Sequence, residues 1–183
     1  MNKLYQKSEI WFAVIWIIIY VVGTSFAENI SEGIGLSKSI TLVFHVVISI
    51  IVITWLNKNG LFGKYGICKP NAPTSKFLYY IPLLIIISCN LWFGVTMNFT
   101  ITESVLYAGS MICVGFLEEI IFRGFLFKAM AKDSVKAAII VSSITFGIGH
   151  IINLFNGNSD DPVATICQII YAMAIGFLFV IIF

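Results

Sequence analysis

Charged side chains are scarce in this chain of 183 residues. Asp, Glu, Lys and Arg together make up 11% of it, with Arg123 as the one arginine, whereas a soluble domain carries about 25%. Hydrophobic residues make up 59%. This composition excludes a soluble globular domain, a disordered chain and a nucleic-acid-binding protein. We therefore expect an integral membrane protein whose surroundings are the lipid bilayer, with no nucleic-acid partner.

Paired cysteines, internal repeats and low-complexity linkers are also missing. The four cysteines, Cys68, Cys89, Cys113 and Cys167, follow no paired spacing, which excludes the disulfide framework of a small secreted domain. Without a linker or a charged segment, no separate soluble domain is expected.

Long apolar stretches dominate the sequence. A membrane-spanning helix needs about 20 predominantly apolar residues. The stretches that meet this requirement are Ile10–Ala27, Ser39–Leu56, Phe77–Val95, Val105–Phe127, Ala137–Phe155 and Val163–Phe183. They predict an all-α, polytopic membrane protein with about six transmembrane helices. The first stretch also resembles a signal peptide, but its length of about 18 residues exceeds the usual 7–15 of a signal core, so we interpret it as a retained span.

The lysines predict the orientation of these spans. All of them except Lys38 lie before the first span or in the loops that follow the second and fourth spans. The alternate loops carry mainly acidic residues. Because cytoplasmic loops are enriched in basic residues, the N-terminus is predicted to be cytoplasmic.

Five ionisable side chains fall inside the predicted spans: His45, Glu118, Glu119, Arg123 and His150. A charged group at mid-bilayer costs about 2.5–3.5 kcal/mol on the insertion scale. These side chains must therefore face protein or pair with one another, and they are the candidates for function.

Helical spacing separates the acidic residues of the fourth span. Glu119 and Arg123 are four residues apart, so they share one helix face and can form a salt bridge. Glu118 points about 100° away from Glu119 and is free for another partner. The pair could equally serve only to lock helices together.

Depth in the membrane relates Glu118 to His150. Measured along helices from the loop that joins the fourth and fifth spans, Glu118 lies about 15 Å deep and His150 about 21 Å deep. Spans joined by a short loop pack antiparallel as neighbours. We therefore expect Glu118 and His150 to approach each other, as a carboxylate and an imidazole that activate a water molecule. Gly115, Gly124, Gly147 and Gly149 flank the site and allow close helix approach or backbone access.

His45 and metal binding have simpler interpretations. His45 has no companion at helical spacing, so we expect a core histidine bonded to a neighbouring group. The two-histidine zinc-protease pattern is absent, which favours chemistry without a metal or other cofactor. Binding of a metal by Glu118 and His150 is the alternative left open.

Two motifs carry a resemblance to a known family. Glu118-Glu119-Ile120-Ile121-Phe122-Arg123 matches EExxxR, and Phe146-Gly147-Ile148-Gly149-His150 matches FxxxH. Both are motifs of the CPBP family, the CAAX prenyl protease and bacteriocin-processing intramembrane endopeptidases. Gln168-Ile169-Ile170-Tyr171-Ala172 with Gly176 is similar to a weaker third motif, so the resemblance extends over roughly Ser104–Phe183.

The resemblance implies an all-helical membrane protease and assigns roles within it. Glu118 would be the catalytic base, His150 its partner, and Glu119 and Arg123 supporting groups. Residues 1–103 would form three N-terminal transmembrane helices and residues 104–183 a CPBP-like protease core. The family's HxxxN motif is missing, so we expect this core to be C-terminally incomplete.

The sequence thus predicts an intramembrane endopeptidase that processes a membrane-associated or secreted peptide. Ten lysines to one arginine, with many Ile and Asn, suggest an AT-rich bacterial genome, and we therefore expect a bacterial cell membrane as its location. The alternative is a non-catalytic bacteriocin self-immunity or membrane interaction protein. A small proton-coupled transporter is a third candidate, weakened by the absence of duplicated halves.

Overall fold

The computed structural model describes residues 1–69, 73, 75–76, 80–88, 92, 100–155 and 161–182. Every regular element in this part of the chain is helical. The α-helices are α1 (Asn2–Lys7), α2 (Glu9–Ile34), α3 (Ser39–Lys58), α4 (Ile81–Ser88), α5 (Ile101–Glu118), α6 (Lys128–Met130), α7 (Val135–Ile148), α8 (Ile152–Phe155) and α9 (Pro162–Ile182). A π-helix (Glu119–Phe127) joins α5 to α6, and a 3₁₀ turn (Gly149–Ile151) follows α7.

Local sequence signals fix several helix ends. The Ser8 hydroxyl accepts a hydrogen bond from the backbone N–H of Trp11 at the start of α2. α2 ends at Gly35, whose left-handed φ of 76° suits a residue without a Cβ. Thr100 and Glu103 form a capping box at the start of α5. The helices therefore begin and end where side chains or glycine satisfy the terminal backbone groups.

The prediction of an all-helical polytopic membrane protein is confirmed. Among the described residues, four helices are long and apolar enough to cross a membrane: Glu9–Ile34, Ser39–Lys58, Ile101–Met130 and Pro162–Ile181. Val135–Ile151 is a shorter apolar helix where the fifth span was predicted. Nine of the 19 residues of the predicted third span, Phe77–Val95, lie outside the described residues, and α4 lies within the part that is described.

Interhelical contacts give the relative directions of the helices. α2 runs antiparallel to α3, because hydrogen bonds join Ser31 to Thr41 and Thr24 to His45. Earlier residues of α2 thus contact later residues of α3. α3 and α5 run parallel, because Lys38 lies over the ring of Tyr107 and His45 bonds to Ser110. α3 and α5 correspond to the second and fourth predicted spans. If one further span crosses the membrane between them, these two must run parallel.

An aromatic core fills the end of the bundle near the start of α2. It contains the buried rings of Phe12, Trp16, Trp55, Tyr65 and Phe125, which pack edge-to-face or tilted with ring centroids 4.8–6.4 Å apart. Phe125 belongs to the π-helix, so the core holds the C-terminal part of the fourth span against α2 and α3. The more polar part of the bundle lies beside α5 and α7.

Candidate active site

A cavity of about 500 Å³ opens between α2, α3, α5, α7 and α9. Each of these elements, or the turn that follows it, contributes a polar side chain to its wall. These are Tyr20 from α2, His45 from α3, Glu118 from α5, His150 from the 3₁₀ turn after α7, and Gln168 from α9. The bundle thus brings polar side chains from five elements to one space, as expected where lipid surrounds the outer faces.

Glu118 is the last residue of α5 and lies next to the π-helix. One of its carboxylate oxygens, Oε1, accepts a hydrogen bond from the Tyr20 hydroxyl at 3.1 Å. Tyr20 is buried, with 7% of its surface exposed. Sequence reasoning missed this contact, although a signal was available: Tyr20 lies deep within the first span, whereas tyrosines prefer the membrane interfaces.

His150 lies in the 3₁₀ turn after α7 and lines the same cavity as Glu118. The expected continuous α-helix through the fifth span is therefore wrong at this residue. Its ring lies against Phe146, with centroids 5.6 Å apart. The structure thus brings the two predicted catalytic residues to one cavity, and their catalytic roles remain a prediction.

Glu119 and Arg123 form the ion pair that their spacing predicted. Arg123 Nη1 lies 3.5 Å from Glu119 Oε1. The Arg123 side chain is 1% exposed and the Glu119 side chain 44%. The guanidinium lies 4.2 Å from the ring centroid of Phe146 and 5.6 Å from that of Phe179. Its nitrogens have no hydrogen-bond partner among the described residues, so charge attraction and two aromatic faces hold it in place.

Phe146 connects the two motifs, a role that sequence reasoning did not assign. Its ring meets Phe122 edge-to-face at 5.3 Å, supports the guanidinium of Arg123, and contacts His150. Phe146 also lines the cavity, whereas neither Glu119 nor Arg123 is among the described residues that do. Arg123 therefore acts on the cavity wall through Phe146.

A π-helix carries the fourth span past the site. The depth calculation assumed a uniform α-helix, and that assumption is wrong over Glu119–Phe127. Residues 120–126 of this segment are all buried, so the helix is packed on every side. π-helical turns inside α-helices are frequent at functional sites. Here the segment begins next to Glu118 and contains the Glu119–Arg123 pair.

His45 is the bonded core histidine that the sequence predicted. Its Nε2 lies 3.0 Å from the Thr24 hydroxyl and its Nδ1 lies 2.9 Å from the Ser110 hydroxyl. The residue is 1% exposed. The structure adds that His45 contributes to the wall of the same cavity as Glu118.

Residues 100–183 match the family described as type II CAAX prenyl endopeptidase Rce1-like. This segment is therefore similar to the CPBP family. The predicted resemblance is thereby confirmed for a segment that covers less than half of the chain. No curated protein and no solved structure is significantly similar to the chain. The Rce1-like segment contains Glu118 and His150, whereas Tyr20 and His45 precede it.

Glycines allow close contact within the Rce1-like segment at two positions. A Cβ added at Gly147 would lie 2.8 Å from the carbonyl oxygen of Ile169, and one at Gly176 would lie 3.2 Å from the Phe146 ring. These glycines let α7 and α9 approach each other. At Gly115 and Gly149 an added Cβ would meet nothing within 4 Å, so close helix contact explains neither.

The far end of the cavity carries an ion pair. Lys38, at the turn between α2 and α3, pairs with Glu28, and both residues line the cavity. Burial lowers the pKa of Lys38. Among the described residues, no three His, Cys, Asp or Glu side chains come together as a metal site.

Proposed function

We propose that this protein is an intramembrane endopeptidase in which Glu118 and His150 activate a water molecule. Glu118 takes a proton from the water, and the water oxygen forms a bond to the carbonyl carbon of the substrate's peptide group. The proton then passes from Glu118 to the amide nitrogen as the carbon–nitrogen bond breaks. The products are a carboxyl group and an amine. His150 holds the water against the carbonyl carbon.

The observation that carries this proposal is that Glu118 and His150 line one cavity. They lie 32 positions apart, at the end of α5 and in the turn after α7, so their presence in one cavity is a result of the tertiary fold. A general base needs hydrogen-bond reach to the proton that it removes, directly or through one water. The cavity of about 500 Å³ falls within the range of small-molecule pockets, about 300–1,000 Å³.

The membrane setting supports a peptide substrate that enters the bundle from the bilayer. The Rce1-like match suggests a substrate class, because the family's description names a CAAX prenyl endopeptidase. A lipid-modified C-terminus would remain in the bilayer while its peptide part reached the cavity. The scarcity of arginine supports a bacterial cell membrane as the location, and there a membrane-associated or secreted peptide would be the substrate.

The test compares the full chain with Glu118→Gln after reconstitution into lipid vesicles. The probe is a fluorescence-quenched farnesylated peptide that ends in a CAAX sequence. Glutamine keeps the size of the side chain but cannot take the proton, so cleavage should fall by about 10²–10⁴-fold. Glu103→Gln is the matched control, because Glu103 lies on the same helix in an exposed capping box that glutamine can also form.

Equal cleavage by Glu118→Gln and the parent chain would contradict the proposal. The non-catalytic alternative makes a different prediction in cells. If Glu118→Gln and His150→Ala both kept the cellular function of the parent chain, binding of a peptide or partner would replace hydrolysis as the explanation.

A further inference from the structure

We infer that Tyr20 is a positioning residue that holds the Glu118 carboxylate in its working orientation. The inference rests on the proposed function, since it assigns Glu118 the role of base. Tyr20 belongs to α2, which precedes the Rce1-like segment. The site would then need a residue from outside the part of the chain that carries the motifs.

The hydrogen bond explains how Tyr20 acts. The terminal torsion of a glutamate side chain is broad, so rotamer preference alone does not fix the plane of its carboxylate. The Tyr20 hydroxyl donates to Oε1 of Glu118 at 3.1 Å. With Oε1 fixed, the second carboxylate oxygen is the one available to a water in the cavity. In the described part of the chain, Tyr20 is the only hydrogen-bond partner of the Glu118 side chain.

Tyr20 is itself held rigidly. Its ring lies against the imidazole of His45, with centroids 5.9 Å apart and an interplanar angle of 31°. The hydroxyls of Thr24 and Ser110 bond the two ring nitrogens of His45. A side chain that positions a reacting group keeps a precise geometry when packing and hydrogen bonds fix the residues behind it. Behind Tyr20, those residues are His45, Thr24 and Ser110.

The other charged or titratable groups near Glu118 do not hydrogen-bond its carboxylate. Glu119 and Arg123 lie on the same span and pair with each other. The nitrogens of His45 are occupied by hydroxyl groups, and the ring of His150 contacts Phe146. The Tyr20 hydroxyl alone reaches the carboxylate among these groups.

The first test measures kcat and KM of Tyr20→Phe in vesicles with the farnesylated CAAX reporter. Loss of the hydroxyl should lower kcat by about 10- to 100-fold, the size of effect expected when a reacting group is misplaced, and leave KM unchanged. Tyr65→Phe is the matched control, because its hydroxyl bonds Tyr5 in another part of the bundle. That variant should keep the kcat of the parent chain.

A double variant separates positioning from a structural role. If Tyr20 acts through Glu118, adding Tyr20→Phe to Glu118→Gln should cause no further loss of the residual hydrolysis. Independent, multiplicative losses would overturn the inference. So would an unchanged kcat in Tyr20→Phe beside an inactive Glu118→Gln, a result that leaves the proposed function intact. Full activity of Glu118→Gln would instead overturn the proposed function.

A spectroscopic measurement tests the contact independently of turnover. Infrared difference spectra between the parent chain and Glu118→Gln identify the bands of the Glu118 carboxyl group. Tyr20→Phe should shift these bands, because they report the hydrogen bond to Oε1, whereas Tyr65→Phe should not. Unshifted bands in Tyr20→Phe would overturn the inference even if the variant had lost activity through poor folding.

Discussion

The two walls of the cavity differ in how their polar groups are used. On the wall formed by α2 and α3, His45 has both ring nitrogens bonded and is 1% exposed. On the wall formed by the Rce1-like segment, His150 is only partly buried, and its described contact is with the Phe146 ring. When both ring nitrogens are hydrogen-bonded, an imidazole must break one of these bonds before it can contact a substrate. Under the proposed function, His45 accordingly has a structural role and His150 the role in hydrolysis.

The largest expected effect comes from exchanging each histidine for alanine. His150→Ala should reduce cleavage of the reporter by about 10²–10⁴-fold with normal folded yield, because it removes the side chain that holds the reacting water. His45→Ala should instead lower the folded yield, since each hydroxyl left unpaired costs about 1–3 kcal/mol. Cleavage per folded molecule and yield in membranes are the two measurements. Normal cleavage by His150→Ala would break the comparison.

Arg123→Ala tests the support behind the Rce1-like wall. The guanidinium fills the space between Phe146 and Phe179, and removing it leaves a void. The free energy of unfolding should fall by about 2–5 kcal/mol, as for other large-to-small changes in packed cores. Release of Glu119 adds little, because its side chain is already 44% exposed. Unfolding in detergent by added denaturant measures the loss, and normal stability with no cleavage would make Arg123 a direct participant.

Gly147→Ala tests the contact between α7 and α9. The added methyl group would lie 2.8 Å from the Ile169 carbonyl oxygen, so the helices must separate. Overpacking of this kind costs about 1–3 kcal/mol in the same unfolding measurement. Gly115→Ala is the control, since its Cβ meets open space. Because alanine has less backbone freedom to lose on folding than glycine, this variant should be more stable than the parent chain by about 0.5–1 kcal/mol. Equal stability of the two variants would contradict the close packing.

The smallest effect is expected at Lys64, outside both walls. Lys64 pairs with Glu9 at 2.9 Å, and Lys64→Met should cost about 0–1 kcal/mol because the pair is partly solvated. Partial burial lowers the pKa of Lys64, but its bonds to Tyr5 and Glu9 raise it more, so the net pKa lies above the ordinary 10.5. Its contribution is therefore complete below pH 10.5 and is lost as the pH rises through the folded-state pKa. Stability measured at neutral and strongly alkaline pH should differ less in Lys64→Met than in the parent chain.

Local signals in the sequence predicted the spans with useful accuracy. Ser39–Leu56 became α3, which ends at Lys58, because a continuous apolar run next to lysine is recorded in the sequence itself. The first span was placed at Ile10–Ala27, yet α2 continues to Ile34. Residues beyond Ala27 are too polar for a hydropathy criterion, but the helix continues through them until Gly35 provides a left-handed end.

The sequence predicted the central residues of the candidate site but not the residues that support them. Glu118 and His150 were identified because ionisable groups are costly in a bilayer and because they stand in two recognisable motifs. Tyr20 was missed because a tyrosine costs little in a span and its partner lies 98 positions away. The sequence identified Phe146 only as the first residue of the FxxxH motif, because its stacking on Arg123 depends on how α7 packs against the fourth span.

The sequence by itself determined that the chain is helical and membrane-embedded, and which ionisable side chains had to be buried in protein. Hydropathy and the cost of buried charge act on each residue separately, so both can be read along the chain. Only the tertiary structure decided that Tyr20 and His45 join Glu118 and His150 at one cavity, and that the fourth span adopts a π-helix there. Those features depend on which side chains meet across helices, and packing among segments distant in sequence settles that.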